Sequence, residues 1–344
     1  MKTFVVAIFV LWSAPALAGL NDVAQPRGLS YGCAFGQGEV TGDPQFKAAV
    51  VAECGTWVAT HGMEYDTIAR LNTAPIVRNW DFGEFDWYRQ MATAYGKQLR
   101  LTNLTWNAKP PPAFILAMSQ WDVLVHLTDY AFWVALHGLY GANPITSIDV
   151  VNEPMEGGAW TDKLGLNVWS MGAFWGARWA CDTAGIKCEL VANEFNLENG
   201  DTWKQARFLR YIDDLKAQGI PITAVGIEGH IWSDWCFSNT LGAFIDRVHA
   251  RGLDVIVTEL TVKGTDDRQV ADAYGRFVDT CLRHGARKII TWGLSDKYRN
   301  PKMFGPADRP MLLDSAMNKK PAYNMVSDLF LGCRLSISAL YGWR

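Results

Sequence analysis

The sequence of 344 residues carries little excess charge of either sign and, beyond its N-terminus, no long apolar run. Lysine, arginine, aspartate and glutamate make up 19% of the residues, and the net charge is −3. Because no basic excess is present, neither a nucleic acid nor an anionic membrane is expected as a partner. No later segment holds enough uninterrupted apolar residues to cross a bilayer, so we expect no membrane span in the mature chain.

Cysteines are scattered, and none of their spacings is typical of a zinc site. There are seven of them, too dispersed for a small scaffold held together by disulfides. Cys181 and Cys188 flank a turn that contains glycine, and we expect these two to be bonded. Since seven is odd, at least one thiol is free or is bonded to another molecule.

The first 18 residues have the pattern of a secretory signal peptide. Lys2 precedes the apolar run 4–12, and Ala16-Leu17-Ala18 supplies a small-x-small cleavage motif, so the mature chain is expected to begin at Gly19. An uncleaved anchor is the alternative. We therefore expect a secreted or periplasmic protein in which residues 19–344, which contain no linker or low-complexity run, form a single domain.

Short apolar segments alternate with amphipathic helical stretches throughout this domain. The alternation predicts an α/β fold in which eight parallel strands close into a (β/α)8 TIM barrel. An open doubly wound sheet is the rival, but its glycine-rich phosphate loop is poorly matched, because Thr41 stands where a third glycine is needed after Gly36 and Gly38. The expected strands are Tyr31–Phe35, Thr56–Ala59, Gln98–Leu104, Ser147–Val151, Cys188–Ala192, Thr223–Ile227, Asp254–Thr258 and Lys288–Trp292.

Three helices are the clearest of those between the strands. One follows Ser119, and another covers about 201–217 with a stop signal near Gly219. The third has an apolar stripe that we expect to pack against the barrel, formed by Val168, Met171, Trp175 and Trp179.

One motif resembles the nucleophile elbow of serine hydrolases. Gly28-Leu29-Ser30-Tyr31-Gly32 fits the string G-x-S-x-G, but that elbow needs a strand before the serine and a helix after it. Here a strand follows instead, so no serine-hydrolase function is expected.

Two glutamates at predicted strand ends are the most informative residues of the chain. Glu153 follows the run 148–152, and Glu259 follows the run 253–258. Strand ends of a barrel meet at one rim, so both carboxylates are expected to face one groove. Two facing carboxylates can hydrolyse a glycosidic bond, one by protonating the leaving oxygen and one by attacking or activating water. The 16 tryptophans suit sugar binding too, although most of them are expected to fill the core.

Several longer motifs resemble glycoside hydrolase family 10, the retaining endo-β-1,4-xylanases. The resemblance spans about residues 31–330, and its segments occur in the order found in the family. The matching segments are Asp149-Val150-Val151-Asn152-Glu153, Ala173-Phe174-x-x-Ala177-Arg178, Asn193-Glu194-Phe195-Asn196, Gly226-x-x-Gly229-His230, Thr258-Glu259-Leu260, Thr291–Tyr298 and Lys320-Pro321-Ala322-Tyr323.

The resemblance implies a role for each of five residues. Glu153 would be the general acid/base and Glu259 the nucleophile. Asn152 would bond the sugar 2-hydroxyl, His230 would orient Glu259, and Trp292 would form the apolar floor under the sugar. No metal and no organic cofactor are implied.

Other candidate substrate-binding positions depart from the family pattern. Glu64 stands where the family has a lysine that grips a neighbouring sugar, and Asn107, after Trp106, stands where it has a histidine. Glu228 replaces a glutamine, and after Tyr298 the usual second tryptophan clamp is replaced by 299–300. Loss of a cation and gain of carboxylates lead us to expect that a neutral or basic glycan is tolerated better than an acidic one.

The sequence therefore predicts a monomeric endo-β-1,4-glycosidase that hydrolyses xylan or a xylan-like polysaccharide. One alternative is a glycosidase that trims an exopolysaccharide, for which the altered subsites would be suited. The other is a carbohydrate-binding barrel without catalysis, against which the intact set of Asn152, Glu153, His230 and Glu259 argues.

Overall fold

A computed structural model describes residues 18–71 and 78–333 of the protein. Its centre is a barrel of eight parallel strands, as the sequence predicts. Closure is shown by the last strand, which pairs in parallel both with the first strand and with the seventh. The strands are β1 (Ser30–Phe35), β2 (Thr56–Ala59), β3 (Gln98–Leu101), β4 (Ser147–Asn152), β5 (Glu189–Glu194), β6 (Ala224–Ile227), β7 (Asp254–Lys263) and β8 (Lys288–Thr291).

Two strand boundaries differ from the sequence prediction in ways that affect the barrel rim. β7 runs on to Lys263 because its outer end pairs with the short strand His230–Trp232, so Glu259 lies within a strand and not after one. β3 ends at Leu101, and Thr105–Trp106 forms a separate two-residue strand against β4. Ser30 opens β1, where its hydroxyl lies 3.1 Å from that of Thr56, so no nucleophile elbow forms.

A helix follows each strand and packs on the outside of the barrel. These helices are α1 (Pro44–Glu53), α2 (Gly83–Ala94), α3 (Gln120–Leu139), α4 (Leu166–Ala184), α5 (Thr202–Ala217), α6 (Ser238–His249), α7 (Asp267–Arg283) and α8 (Pro321–Leu331). Shorter helical turns lie at Leu20–Ala24, Gln25–Arg27, Gln37–Gly42, Tyr65–Ile68, Ala113–Leu116, Ala159–Leu164 and Asp296–Tyr298. Side-chain N-caps begin several helices, as at Ser119 before α3 and Asp201 before α5.

The core has two layers. Strand residues that point outward join the apolar faces of the helices in one large cluster. The residues that point inward form a smaller cluster, on which Trp292 rests: Ala34, Val58, Val191, Ala224, Ile256 and Ile290. At the corresponding places of β3 and β4, the inside is filled by an ion pair between Arg100 and Asp149, both fully buried.

The predicted packing of the tryptophan stripe on α4 is wrong. Val168 and Trp179 are 38% and 50% exposed, and Trp175 lines an outer groove beside α3. The face of α4 that packs on the barrel carries Ala173 and Ala177 among its buried residues. The buried rings of this helix are those of Trp169 and Phe174, which lie outside the predicted stripe.

Two disulfides are present. The predicted bond between Cys181 and Cys188 is confirmed, and a second joins Cys33 to Cys54, with Cα atoms 5.8 Å apart. Free thiols remain at three cysteines, of which Cys281 is buried. Within the described ranges, no helix is both long and apolar enough to cross a membrane. The predicted signal peptide lies outside the described residues except for its last position.

Candidate active site

A groove of about 920 Å³ opens at the rim formed by the C-terminal ends of the strands. This is the rim at which barrel enzymes place their catalytic groups. Eight of the ten residues predicted for the site line it, namely Glu64, Trp106, Glu153, Glu228, His230, Glu259, Trp292 and Tyr298. The closed barrel therefore brings residues from six strand ends into one cavity.

Glu153 is held in an unusual backbone conformation directly after β4. Its φ is 50°, a left-handed value that costs free energy for a residue with a side chain. Its amide N–H donates to the carbonyl of Asn193 at 2.8 Å, and the indole N–H of Trp106 donates to Oε2 at 2.9 Å. These bonds fix the carboxyl group against the groove wall.

The pKa of Glu153 is raised to about 7. Burial is the main cause, the bond from Trp106 opposes it, and the negative charge of Glu259 adds to it. The carboxyl group therefore holds its proton up to near-neutral pH. Burial contributes more to this than repulsion between the two carboxylates does.

Asn193, at the end of β5, links both glutamates. Its carbonyl accepts from the Glu153 amide, while its side-chain Nδ2 lies 3.0 Å from Glu259 Oε1 and 2.8 Å from Asn152 Oδ1. Thr258 donates to its Oδ1 at 2.6 Å, which sets the orientation of the amide. Gly226 makes room for it, since a Cβ there would lie 2.2 Å from Oδ1.

Glu228 and Glu259 share one histidine. His230 Nε2 lies 3.3 Å from Glu228 Oε2 and 3.5 Å from Glu259 Oε2, and its Nδ1 lies 2.9 Å from the hydroxyl of Thr261. Burial acts to lower the pKa of His230, but the bonds to both carboxylates outweigh it and raise that pKa to about 10. Burial first, and then the charge of Glu259, raise the pKa of Glu228 well above its ordinary value.

The same three side chains have ligand atoms within 4.8 Å of one another, which is close enough to surround a metal ion. A histidine binds a metal ion through a ring nitrogen that carries no proton. His230 instead directs Nε2 at two carboxylates and has a raised pKa, so the imidazolium takes the place that a cation would occupy. The cluster compensates its own charge.

Two other predicted residues use their side chains for hydrogen bonds within the protein. Glu64 is buried, with Oε1 3.0 Å from Nδ1 of His61 and Oε2 accepting the amide N–H groups of Gly62 and Met63. Asn107 does not line the groove. Its side chain donates to the carbonyl of Glu156 and accepts from two amides at the start of helix Ala159–Leu164.

Aromatic residues form the floor and one wall. Trp292 is half-buried at the bottom of the groove, on the inner apolar cluster of the barrel. Tyr298 packs on Phe46 with ring centroids 4.5 Å apart and donates to Asp43 at 2.9 Å. Asn152 is buried beneath the groove and does not line it.

Sequence reasoning missed the group that anchors the loop after β4. Glu194 is fully buried, accepts the Met155 amide at 2.9 Å and pairs with Lys204 at 2.8 Å. Lys204 also pairs with Glu156 at 3.2 Å, so Glu194 and Lys204 hold the residues just after Glu153. The available signal was a glutamate at the C-terminal end of β5, within the matching segment Asn193-Glu194-Phe195-Asn196.

Known proteins with similar sequences and structures share this arrangement of the chain. The model of "Glycosyl hydrolase family 10" matches residues 19–329. "Endo-1,4-beta-xylanase 2" of Aureobasidium pullulans is 29% identical over 277 residues, covering 74% of this chain and 75% of its own. "Endo-1,4-beta-xylanase 3" of Hypocrea jecorina is 26% identical over 324 residues, covering 92% and 87%.

A solved structure extends the likeness to three dimensions. The endo-1,4-beta-xylanase XylE of Penicillium canescens superposes with a TM-score of 0.81 at 25% sequence identity, covering 91% of this chain and 98% of its own. The family model covers nearly all of the described residues, and Glu153 and Glu259 both line the groove. The protein is a glycoside hydrolase, and its chain belongs to glycosyl hydrolase family 10.

Proposed function

We propose that the protein is a secreted, monomeric enzyme that hydrolyses the β-1,4-linked backbone of xylan with retention of configuration. Its family and the activity in the names of its relatives support the substrate class. The two disulfides support export, since disulfides persist in oxidising compartments.

One observation carries the proposal: Glu153 and Glu259 face the same groove and are linked through Asn193. In a retaining glycosidase the two carboxyl groups stand about 5–5.5 Å apart, one as acid/base and one as nucleophile. The raised pKa of Glu153, about 7, fits a group that must hold a proton when the substrate binds. Glu259, the partner within β7, is the proposed nucleophile.

The reaction proceeds in two steps. In the first, the Glu259 carboxylate attacks the anomeric carbon while Glu153 gives its proton to the leaving oxygen, and a glycosyl ester forms. This removes the negative charge of Glu259, so Glu153 loses one cause of its raised pKa and remains ionised. In the second step Glu153 takes a proton from water, which attacks the anomeric carbon and releases Glu259.

The surrounding residues hold the nucleophile and the sugar. Asn193 donates to Glu259, and the imidazolium of His230 faces it from the other side. We assign Trp292 to the apolar sugar face. Asn152, which the family resemblance assigns to the sugar 2-hydroxyl, lies buried below the groove, where its Oδ1 accepts from Asn193. Trp106 contributes its ring to the wall and its N–H to Glu153.

A panel of soluble xylan, mannan, β-glucan and a native exopolysaccharide, with mass analysis of the fragments, tests the substrate class. Release of short xylo-oligosaccharides is expected. Release from the exopolysaccharide alone would support the exopolysaccharide-trimming alternative, and binding without any release would support a non-catalytic barrel. Glu153→Ala should still cleave aryl glycosides with good leaving groups in the first step, whereas Glu259→Ala should cleave none.

A further inference from the structure

The segment after β8 places positive charge on the groove wall. Residues 297–303 all line the groove, including Arg299 and Lys302. The segment is held by its own bonds, since the carbonyl of Asn300 accepts from the amides of Met303 and Phe304 and its side chain accepts from the Lys302 amide. The cations are thus carried on an ordered turn.

Two of the three cations on this turn lack a counter-ion. Lys297 is paired with Asp43 at 2.6 Å. The guanidinium of Arg299 bonds only to backbone carbonyls, at 2.8 Å from Asp296 and Pro306 and 3.3 Å from Gly305. Neither Arg299 nor exposed Lys302 pairs with any carboxylate in 18–71 or 78–333.

None of the five glutamates that line the groove forms an ion pair with Arg299 or Lys302. Glu39 and Glu153 are half-buried, and their carboxyl groups accept from the Gly36 amide at 2.8 Å and from the Trp106 indole at 2.9 Å. Glu228, Glu259 and Glu64 are 3%, 7% and 7% exposed. Both oxygens of Glu64 are bonded within the protein, so it is not the free negative charge on which the sequence expectation of a neutral or basic glycan was based. The unpaired charges carried by residues 297–303 are therefore positive.

We propose that Arg299 and Lys302 bind an acidic substituent of the glycan, a carboxylate on a uronic acid branch or residue. The proposal rests on the function proposed above and names its substrate class more closely. A sugar hydroxyl gains little from an unpaired guanidinium, whereas a carboxylate forms charge-assisted and often bidentate bonds with it. In sequence, Arg299 stands where the family resemblance leads one to expect a tryptophan clamp, so the turn exchanges stacking for charge.

The test uses two substrates that differ in charge alone. They are uronate-bearing xylo-oligosaccharides and the same oligosaccharides after reduction of each carboxyl to the alcohol. We expect kcat/KM to be about fivefold higher for the acidic form, as two partly exposed ion pairs allow. The ratio should fall towards one as salt rises from about 0.02 M to about 0.5 M.

Lys302→Met should lower the ratio by about half, and Lys302→Glu should bring it to one or below. Lys187→Met is the matched control, because Lys187 is an exposed lysine just before β5, at the other end of the barrel. The control should keep the wild-type ratio. Equal rates on both substrates, or a preference that survives Lys302→Glu, would overturn the proposal.

Binding to an inactive variant separates this inference from the proposed function. Affinities of both oligosaccharides for Glu259→Gln are measured by calorimetry, so the ratio is obtained without turnover. Tighter binding of the acidic form supports the inference even if no xylan is cleaved. Hydrolysis of the reduced form, with equal affinities for both, upholds the function and refutes the inference.

Discussion

The bond from Trp106 to Glu153 gives the sharpest prediction about pH dependence. The indole N–H lies 2.9 Å from Glu153 Oε2, and this bond lowers the pKa of Glu153 because it stabilises the carboxylate. Trp106→Phe removes the donor and keeps an aromatic ring in the wall. The pKa of Glu153 should therefore rise further above its present value of about 7.

The size of the shift follows from the strength of the bond. A hydrogen bond to a charged group contributes about 1.5–3 kcal/mol, and one pKa unit corresponds to about 1.4 kcal/mol. Part of this is recovered by water that enters the space left by the indole, so we expect a shift of about one unit. Acid catalysis is lost as pH rises through this pKa, so the alkaline limb moves to higher pH.

The assay is the pH dependence of kcat/KM on a xylo-oligosaccharide, which reports the pKa of the free enzyme even if the substitution weakens substrate binding. Trp121→Phe is the control, since Trp121 is 70% exposed on the outside of α3. An aryl glycoside with a very good leaving group should show no such shift. An alkaline limb that stays in place or moves to lower pH would refute the assigned role of this bond.

Three further predictions concern the groove and the barrel. Glu228→Gln should move the pH dependence of kcat/KM, because repulsion between Glu228 and Glu153 is one cause of the raised pKa of Glu228 and an amide takes no part in it; an unchanged profile would count against an interaction between Glu228 and the catalytic pair. Asp149→Asn should lower the free energy of unfolding in urea by about 3 kcal/mol, since Arg100 is left buried without its counter-ion. Replacement of both Cys33 and Cys54 by alanine should lower the free energy of unfolding by about 3 kcal/mol, as expected for a bond between residues 21 apart in sequence. Under reducing conditions, in which the wild type has also lost the bond, the variant and the wild type should be equally stable.

Much of the fold could be predicted because parallel barrel strands are buried on both faces. Such strands appear as short apolar runs, and the run before Glu153 is recovered to within one residue as β4. The extension of β7 could not be predicted, since it depends on pairing with His230–Trp232 on a neighbouring loop. Periodicity within α4 was also ambiguous, because that helix is apolar on two faces.

The site was predictable where one residue type at a strand end carries the chemistry. Glu153 and Glu259 were found in this way, and the structure brings both to the groove. The sequence could not show that Asn107 lies outside the groove. Its side chain bonds to backbone groups of the loop after β4, and these bonds form only when that loop folds over it. Lys204 could not be predicted either, because it lies on α5 and its ion pairs with Glu156 and Glu194 join residues that are distant in sequence.

Trapping of the covalent intermediate tests the central proposal most directly. A slowly hydrolysed fluorinated xylobioside with a good leaving group should add one glycosyl mass to the protein, and peptide mapping should place it on Glu259. Pretreatment with excess xylo-oligosaccharide should slow the labelling. A label on Glu153 or Glu228, or no label from an enzyme that releases product with inverted configuration, would contradict the double-displacement mechanism.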